Sequence, residues 1–286
     1  LRPPTQKKHE HLGEIIVSLG RIAVAYSGGV DSTLLLRVAC DLLGAENVVA
    51  VVATSPTYPE SECKEAEAIA QGIGVRAFVV DPDEMSDPNF VANPPDRCYH
   101  CKSHLLAAIR KALNISDEWV IAEGSNADDA HDFRPGRRAV AEQGVRSPLA
   151  EAGLTKAEIR EISEELGLPT ARKSAKACLA SRIPYGTPIT VEALKMIDEA
   201  ESALEKLGFE GVRVRHHGTV ARIEVARDQI PGALEADTRQ KMVDAAKGAG
   251  FLYVTLDLEG YRTGSMNEVL ASRDDRASSD DKEHKP

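Results

Sequence analysis

The segment Ser27-Gly28-Gly29-Val30-Asp31-Ser32 limits the possible folds of this chain more than any other stretch. A short apolar run, Arg21 to Tyr26 (RIAVAY), precedes it, and TLLLRVACDLLG follows at helical spacing. The pattern predicts strand, glycine turn, helix. Two adjacent glycines let the backbone turn sharply and approach an anion with no Cβ in the way. The helix start that follows offers unpaired N–H groups and the positive end of a dipole, which together suit phosphate. Ser27 and Ser32 add hydroxyls, and the Asp31 carboxylate can organise Mg2+ around a pyrophosphate. The turn lacks the G-x-x-x-x-G-K-[ST] pattern of a Walker loop and the G-x-G-x-x-G of a dinucleotide fold, so neither of those frames is expected.

Further apolar runs recur at intervals that alternate with helical segments. Asn47 to Thr54 (NVVAVVAT), Val75 to Val80 and Trp119 to Ala122 (WVIA) read as strands, and ESECKEAEAIAQGIG reads as a helix closed by glycines. Strands alternating with helices imply an α/β fold, a doubly wound parallel sheet covered on both faces. Hydrophobicity that is continuous along the strands agrees with burial on both faces. Near Ser181–Thr187 the rhythm changes to helix, two strands, helix, strand. We therefore expect a nucleotide-binding domain over 1–186 that carries the cysteine site, and a smaller α+β domain over 187–270 for substrate or oligomer contacts. The charged end, 271–286, reads as a disordered tail.

Composition sets outer bounds. A net charge of −10 argues against a large electrostatic hold on nucleic acid. No apolar run approaches the roughly 20 residues that span a bilayer. The opening LRPPTQKKHE lacks the apolar core of a signal peptide, and the five cysteines do not form a secreted disulfide pattern, so a cytoplasmic setting is expected. Cys40 and Cys63 lie in helical stretches and read as inert thiols.

The other three cysteines carry more information. Cys98-x-x-Cys101 follows Asn93-Pro94-Pro95, and Cys178 lies in KACLASRIPYG. A C-x-x-C pair can clasp zinc, an iron–sulfur cluster or a redox disulfide. A thioredoxin-like role is disfavoured because the pair follows a loop and not a strand. Zinc would need a fourth ligand, for which His100 and His104 are candidates. Spacing alone leaves zinc, cluster and free or redox thiols open.

On these residues the sequence resembles the PP-loop ATP pyrophosphatases, whose signature is SGGxDS after a first strand. Such enzymes adenylate a substrate oxygen, release pyrophosphate and let a nucleophile displace AMP. The resemblance implies that Ala25, Ser27, Gly28, Gly29, Asp31 and Ser32 hold the phosphates and ribose side of ATP, with Thr54 and Ser55 near the adenine. It also implies that Gly124-Ser125-Asn126-Ala127-Asp128-Asp129 closes the pocket, with Asp128 or Asp129 near Mg2+.

Three further segments narrow the resemblance: Arg134-Pro135-Gly136-Arg137-Arg138-Ala139, Ser181-Arg182-Ile183-Pro184-Tyr185-Gly186 and Val212-Arg213-Val214-Arg215. Together they are similar to the ATP-dependent sulfur transferases of nickel-pincer nucleotide synthesis, over about Leu12 to Leu270. Some members of that family give up the sulfur of the central cysteine. Others add a C-x-x-C and are implied to hold a [4Fe-4S] cluster that delivers sulfide repeatedly. With Cys98, Cys101 and Cys178 all present, the chain resembles the second kind, and Cys178 is implied to be a cluster ligand.

The implied substrate is a pyridinium dicarboxylate mononucleotide, the implied partner an external sulfide source, and the implied assembly a homo-oligomer without nucleic acid or membrane. Arg213 and Arg215, two residues apart on one strand face, would clamp the substrate phosphate. Glu201 and Glu224 would bind metal or face the cationic ring. Arg137, Arg138, Lys176 and Arg182 would stabilise charge during adenylation. A tRNA thiolase of the same superfamily and a zinc-stabilised ATP-binding module are the rival expectations.

Overall fold

The structure is a computed structural model and describes residues 1–113, 119–131, 135–174, 177–262 and 264–268. Lys176, Arg134 and the expected tail at 271–286 lie outside the described residues. The chain divides into two compact units, Leu1–Val91 with Asp96–Lys176, and Ala92–Pro95 with Ala177–Pro286.

In the first unit, β1 (Ile22–Ala25) pairs in parallel with both β2 (Val48–Ala53) and β4 (Val120–Glu123), and β2 pairs with β3 (Arg76–Val80). The order is therefore β3-β2-β1-β4. The α/β reading holds, and so does burial on both faces. Ile22, Val24, Val48, Ala50, Val52 and Ala122 join one core with the helices Val30–Leu43 and Glu60–Ile73. Ala23, Val49, Val51 and Ile121, one residue out of phase, join a second core with the Arg97–Ala112 helix. Leu34 is fully buried in the first of these cores, where truncation to Ala costs about 2–5 kcal/mol.

The chain runs outward from β1 to β2 and β3 on one side, then crosses back to place β4 on the other side of β1. The crevice at the C-terminal ends of β1 and β4 is thus the switch point at which such sheets take ligands. Trp119 stands just ahead of β4, with the Arg21 guanidinium 5.2 Å over its ring.

The second unit has three strands, β5 (Arg213–His217), β6 (Val220–Glu224) and β7 (Tyr253–Leu256), with β5/β6 antiparallel and β6/β7 parallel. Val212, Val214, Ala221 and Ile223 pack onto the helices Val191–Lys206 and Ala236–Gly248. Asn93, from the short early segment, is fully buried in this unit. Its side-chain amide donates to the carbonyls of Ile183, Pro184 and Thr187 at 3.3, 2.9 and 3.0 Å. Among the described residues no helix is long and apolar enough to cross a membrane.

Candidate active site

At the switch point the first unit opens a cavity of about 490 Å3, within the range of ligand pockets. Ala25, Tyr26, Ser27, Asp31 and Ser32 line it from the turn after β1, and Gly124, Ser125, Asn126, Asp128 and Asp129 from the loop after β4. The two segments expected to share a nucleotide are thus brought together. Two glycines make the approach possible. Gly28 has φ +69°, and a Cβ there would meet the Ala66 Cβ at 2.8 Å. A Cβ on Gly124 would come within 3.0 Å of the Ser32 nitrogen, so the β4 loop packs directly on the first turn of the Val30–Leu43 helix.

Asp31 sits in that first turn, half-buried and already partnered, and not on an open turn. It accepts from the Lys156 ammonium and, at 3.3 Å, from the Asn126 amide. Asp128 accepts the Lys156 backbone N–H at 2.8 Å, and Asp129 accepts the Asn126 N–H at 3.0 Å. Carboxylate oxygens are the hard donors that Mg2+ takes, but among the described residues these carboxylates are not gathered as a metal site. The Ser27 and Ser32 hydroxyls lie 3.2 Å apart.

Two lysines that the sequence reading missed complete the cavity. Lys156 opens the Lys156–Glu165 helix, and Thr155 and Glu158 close a capping box around that start. The Thr155-Lys156-Ala157-Glu158 pattern signalled a helix start but not where the lysine would point. Lys102, four residues past Cys98 on the Arg97–Ala112 helix, lies 3.6 Å from the Glu123 carboxylate at the end of β4. Burial pushes the Glu123 pKa up, but Lys102 and hydrogen bonds from Ser125 and Ser147 outweigh it and leave the carboxyl below its ordinary range. Tyr26 is pushed up to about 12 by burial, against a hydrogen bond to Thr33. It therefore stays a neutral phenol.

Other expected residues lie elsewhere. Ser55 turns away from the cavity to donate to the buried Glu84 carboxylate at 2.5 Å, and the Thr54 N–H bonds the Val80 carbonyl. Arg137 is exposed and donates to the Asp129 carbonyl at 3.1 Å. Arg138 lies 3.8 Å over the Tyr99 ring. Cys63 lines the cavity, but burial raises its thiol pKa and its sulfur is turned to the Ala53 carbonyl.

Cys98 and Cys101 are the second and fifth residues of the Arg97–Ala112 helix. The pair thus opens a helix after all, though one that follows a loop. This helix is also a wall of the cavity, through Lys102 and Leu105. Tyr58, another lining residue, has its hydroxyl 3.8 Å from the Cys101 sulfur. Thiols are the right donors for an iron–sulfur cluster. Among the described residues, however, no three His, Cys, Asp or Glu side chains are gathered as a metal site.

Cys178 belongs to the second unit, where it precedes the turn Leu179–Arg182. The charged residues expected to act there, Arg182 in adenylation and the others on the substrate, are not a solvated face. Arg182, Glu201, Arg213, Arg215 and Glu224 are 2, 7, 4, 5 and 1% exposed. Arg182 pairs with Glu201 at 2.8 Å and Arg215 with Glu224 at 2.7 Å. Burial works against the Arg182 charge, yet Glu201 holds it above its ordinary pKa. Burial and the Arg182 charge push Arg213 below its own, with Tyr261 5.3 Å away beneath it.

Comparison with known proteins bears on both units. The family model described as NAD synthase matches residues 15–100, a stretch that contains the glycine turn. An uncharacterised protein of Synechocystis sp. is 47% identical over 266 residues, which are 93% of this chain and 98% of that protein. The pyridinium-3,5-bisthiocarboxylic acid mononucleotide synthase of Lactiplantibacillus plantarum is 38% identical over 252 residues, 88% of this chain and 91% of that enzyme.

Proposed function

Since the chain belongs to the pyridinium-3,5-bisthiocarboxylic acid mononucleotide synthase family, we propose that it is an ATP-dependent sulfur transferase. It adenylates the carboxylates of a pyridinium-3,5-biscarboxylic acid mononucleotide and exchanges AMP for sulfide. The observation that carries this reading is the shared wall. One cavity is bounded by the phosphate-binding turn and by the helix that opens with Cys98 and Cys101, with Lys102 and Tyr58 between the two.

The first step is attack of the substrate carboxylate on the α-phosphorus of ATP, with pyrophosphate as leaving group. The glycine turn and the start of the Val30–Leu43 helix hold the departing phosphates. Asp31, Asp128 and Asp129 would hold Mg2+, which would offset the charge of the departing pyrophosphate, and Lys156, now on Asp31, is placed to reach a phosphate oxygen. Adenylation turns a poor leaving oxygen into AMP, which sulfide then displaces. Cys98, Cys101 and Cys178 are the thiols that would hold a [4Fe-4S] cluster, and that group would supply the sulfide. In the second unit the mononucleotide phosphate is assigned to Arg213 and Arg215, with Glu224 as the counter-charge that orients the Arg215 guanidinium. Mg2+, a cytoplasmic setting and a homo-oligomer complete the reading.

Product analysis tests it. Substrate-dependent turnover yields AMP and pyrophosphate, and ADP as the main product would overturn the adenylation step. Protein prepared without oxygen is expected to be brown, with iron and acid-labile sulfide near a cubane ratio. A colourless preparation holding zinc would overturn the cluster.

A further inference from the structure

Arg182 engages every nitrogen of its guanidinium. Nε and Nη2 donate to the two Glu201 oxygens at 2.9 and 2.8 Å. Nη1 donates to the Ala177 carbonyl at 2.5 Å, the Cys178 carbonyl at 3.1 Å and the Ser181 hydroxyl at 3.0 Å. The Ala177 and Cys178 carbonyls belong to the peptide planes on either side of the Cys178 Cα. Holding both planes fixes the two soft backbone dihedrals of Cys178, which stand at φ −57° and ψ 148°. The direction of the Cα–Cβ bond follows, and with it the path of the thiol, while no bond is made to the sulfur itself.

Glu201 anchors this grip to the sheet, because its Oε1 also accepts the Val214 N–H at 2.8 Å. A second guanidinium adds to it: Arg215 donates to the Ser181 carbonyl at 3.1 Å and to Glu224 at 2.7 Å. A buried ion pair is weak evidence of net stabilisation, because desolvation offsets the attraction. A geometric role accounts better for two such pairs that both reach the same turn.

We propose that the Arg182–Glu201 pair is a positioning device for Cys178, which sets the place of its sulfur through the backbone, and that Arg182 is not a charge that meets the adenylating phosphate. The inference rests on the reading of Cys178 as a sulfur-handling residue and assigns how that residue is held.

The test uses the full-length chain, freed of metal and reduced, with Arg182→Lys and Glu201→Gln variants. Iodoacetamide labelling is followed at each cysteine by peptide mass spectrometry, alongside substrate-dependent pyrophosphate release. Lysine has no fork to hold Glu201 and two carbonyls together, so the conservative change is not expected to rescue. Both variants should label Cys178 about tenfold faster, a step of the size expected when charge-assisted hydrogen bonds are lost. Cys98 and Cys101, in the other unit, keep their wild-type rates.

Unchanged Cys178 labelling with loss of pyrophosphate release would overturn the proposal and return Arg182 to adenylation. Equal acceleration at all the cysteines would overturn it as general loosening. If circular dichroism shows Arg182→Lys to be unfolded, Glu201→Gln, which keeps side-chain volume, decides. A wild type that releases no pyrophosphate would defeat the proposed function, and the labelling ratio would still decide this inference.

Discussion

The two units use charge in opposite ways. In the cavity of the first, Lys156 and Asp31 keep 34 and 21% of their side chains in contact with solvent, and both line open space. In the second, Arg182 and Glu201 keep 2 and 9% of theirs, and their remaining bonds go to the backbone and to the Ser181 hydroxyl. Water around the first pair makes exchange cheap. Dehydration around the second makes release costly. Similar ion pairs thus serve as a replaceable occupant in one place and as a brace in the other.

Substitutions can break or sharpen that contrast. The largest effect on stability is expected for Arg182→Ala, which leaves Glu201 buried without its partner and costs about 3–5 kcal/mol in denaturant unfolding. Lys156→Ala is the counterpart: its partly exposed pair contributes at most about 1 kcal/mol to stability. Comparable losses for the two would erase the distinction.

In turnover the order reverses. Asp31→Ala and Lys156→Ala are each expected to lower the rate of pyrophosphate release by about 10²–10³-fold, the scale for a lost electrostatic contact to the reacting centre. Steady-state assays at saturating ATP check this, and full activity in either variant would remove the pair from the chemistry.

Gly124→Ala should cost about 1–3 kcal/mol and weaken ATP, because a methyl group has only 3.0 Å to the Ser32 nitrogen and neither backbone can yield easily. Unfolding and nucleotide titration measure the two parts.

The smallest effect concerns acid. Glu123 has a depressed folded-state pKa, so it stabilises the fold above its unfolded value of about 4.3. That contribution fades as pH falls through the folded-state value. Melting temperatures of wild type and Glu123→Gln should therefore converge between pH 7 and pH 3. A constant gap would mean that Lys102 does not sense the carboxylate.

Much of this was legible in the residues. Apolar runs before SGGVDS and EGSNADD placed β1 and β4, and their ends meet as expected, because a parallel sheet gathers strand C-termini on one edge. The lysines were hidden for a physical reason. Lys156 reaches Asp31 across 125 positions and Lys102 reaches Glu123 across 21, and local periodicity carries no information on such contacts. Ser55 was misleading in the same way, since its hydroxyl is claimed by Glu84, 29 residues on. Alternation in VRVR correctly set Arg213 and Arg215 on one face. It could not say that the face is buried, because that depends on Glu201 and Glu224 arriving from a helix and a neighbouring strand.

Asn93 has a consequence for how this protein can be handled and how it is made. Its three carbonyl partners come from Ile183, Pro184 and Thr187, some 90 positions later, at the start of the second unit. That unit therefore cannot be cut out as one continuous piece of gene: a fragment starting at Ala177 leaves those carbonyls without the amide that satisfies them. On the ribosome the order is equally constrained. Ala92–Pro95 is made some 90 positions ahead of its partners, so the Asn93 amide can be satisfied only once Ile183, Pro184 and Thr187 have been translated.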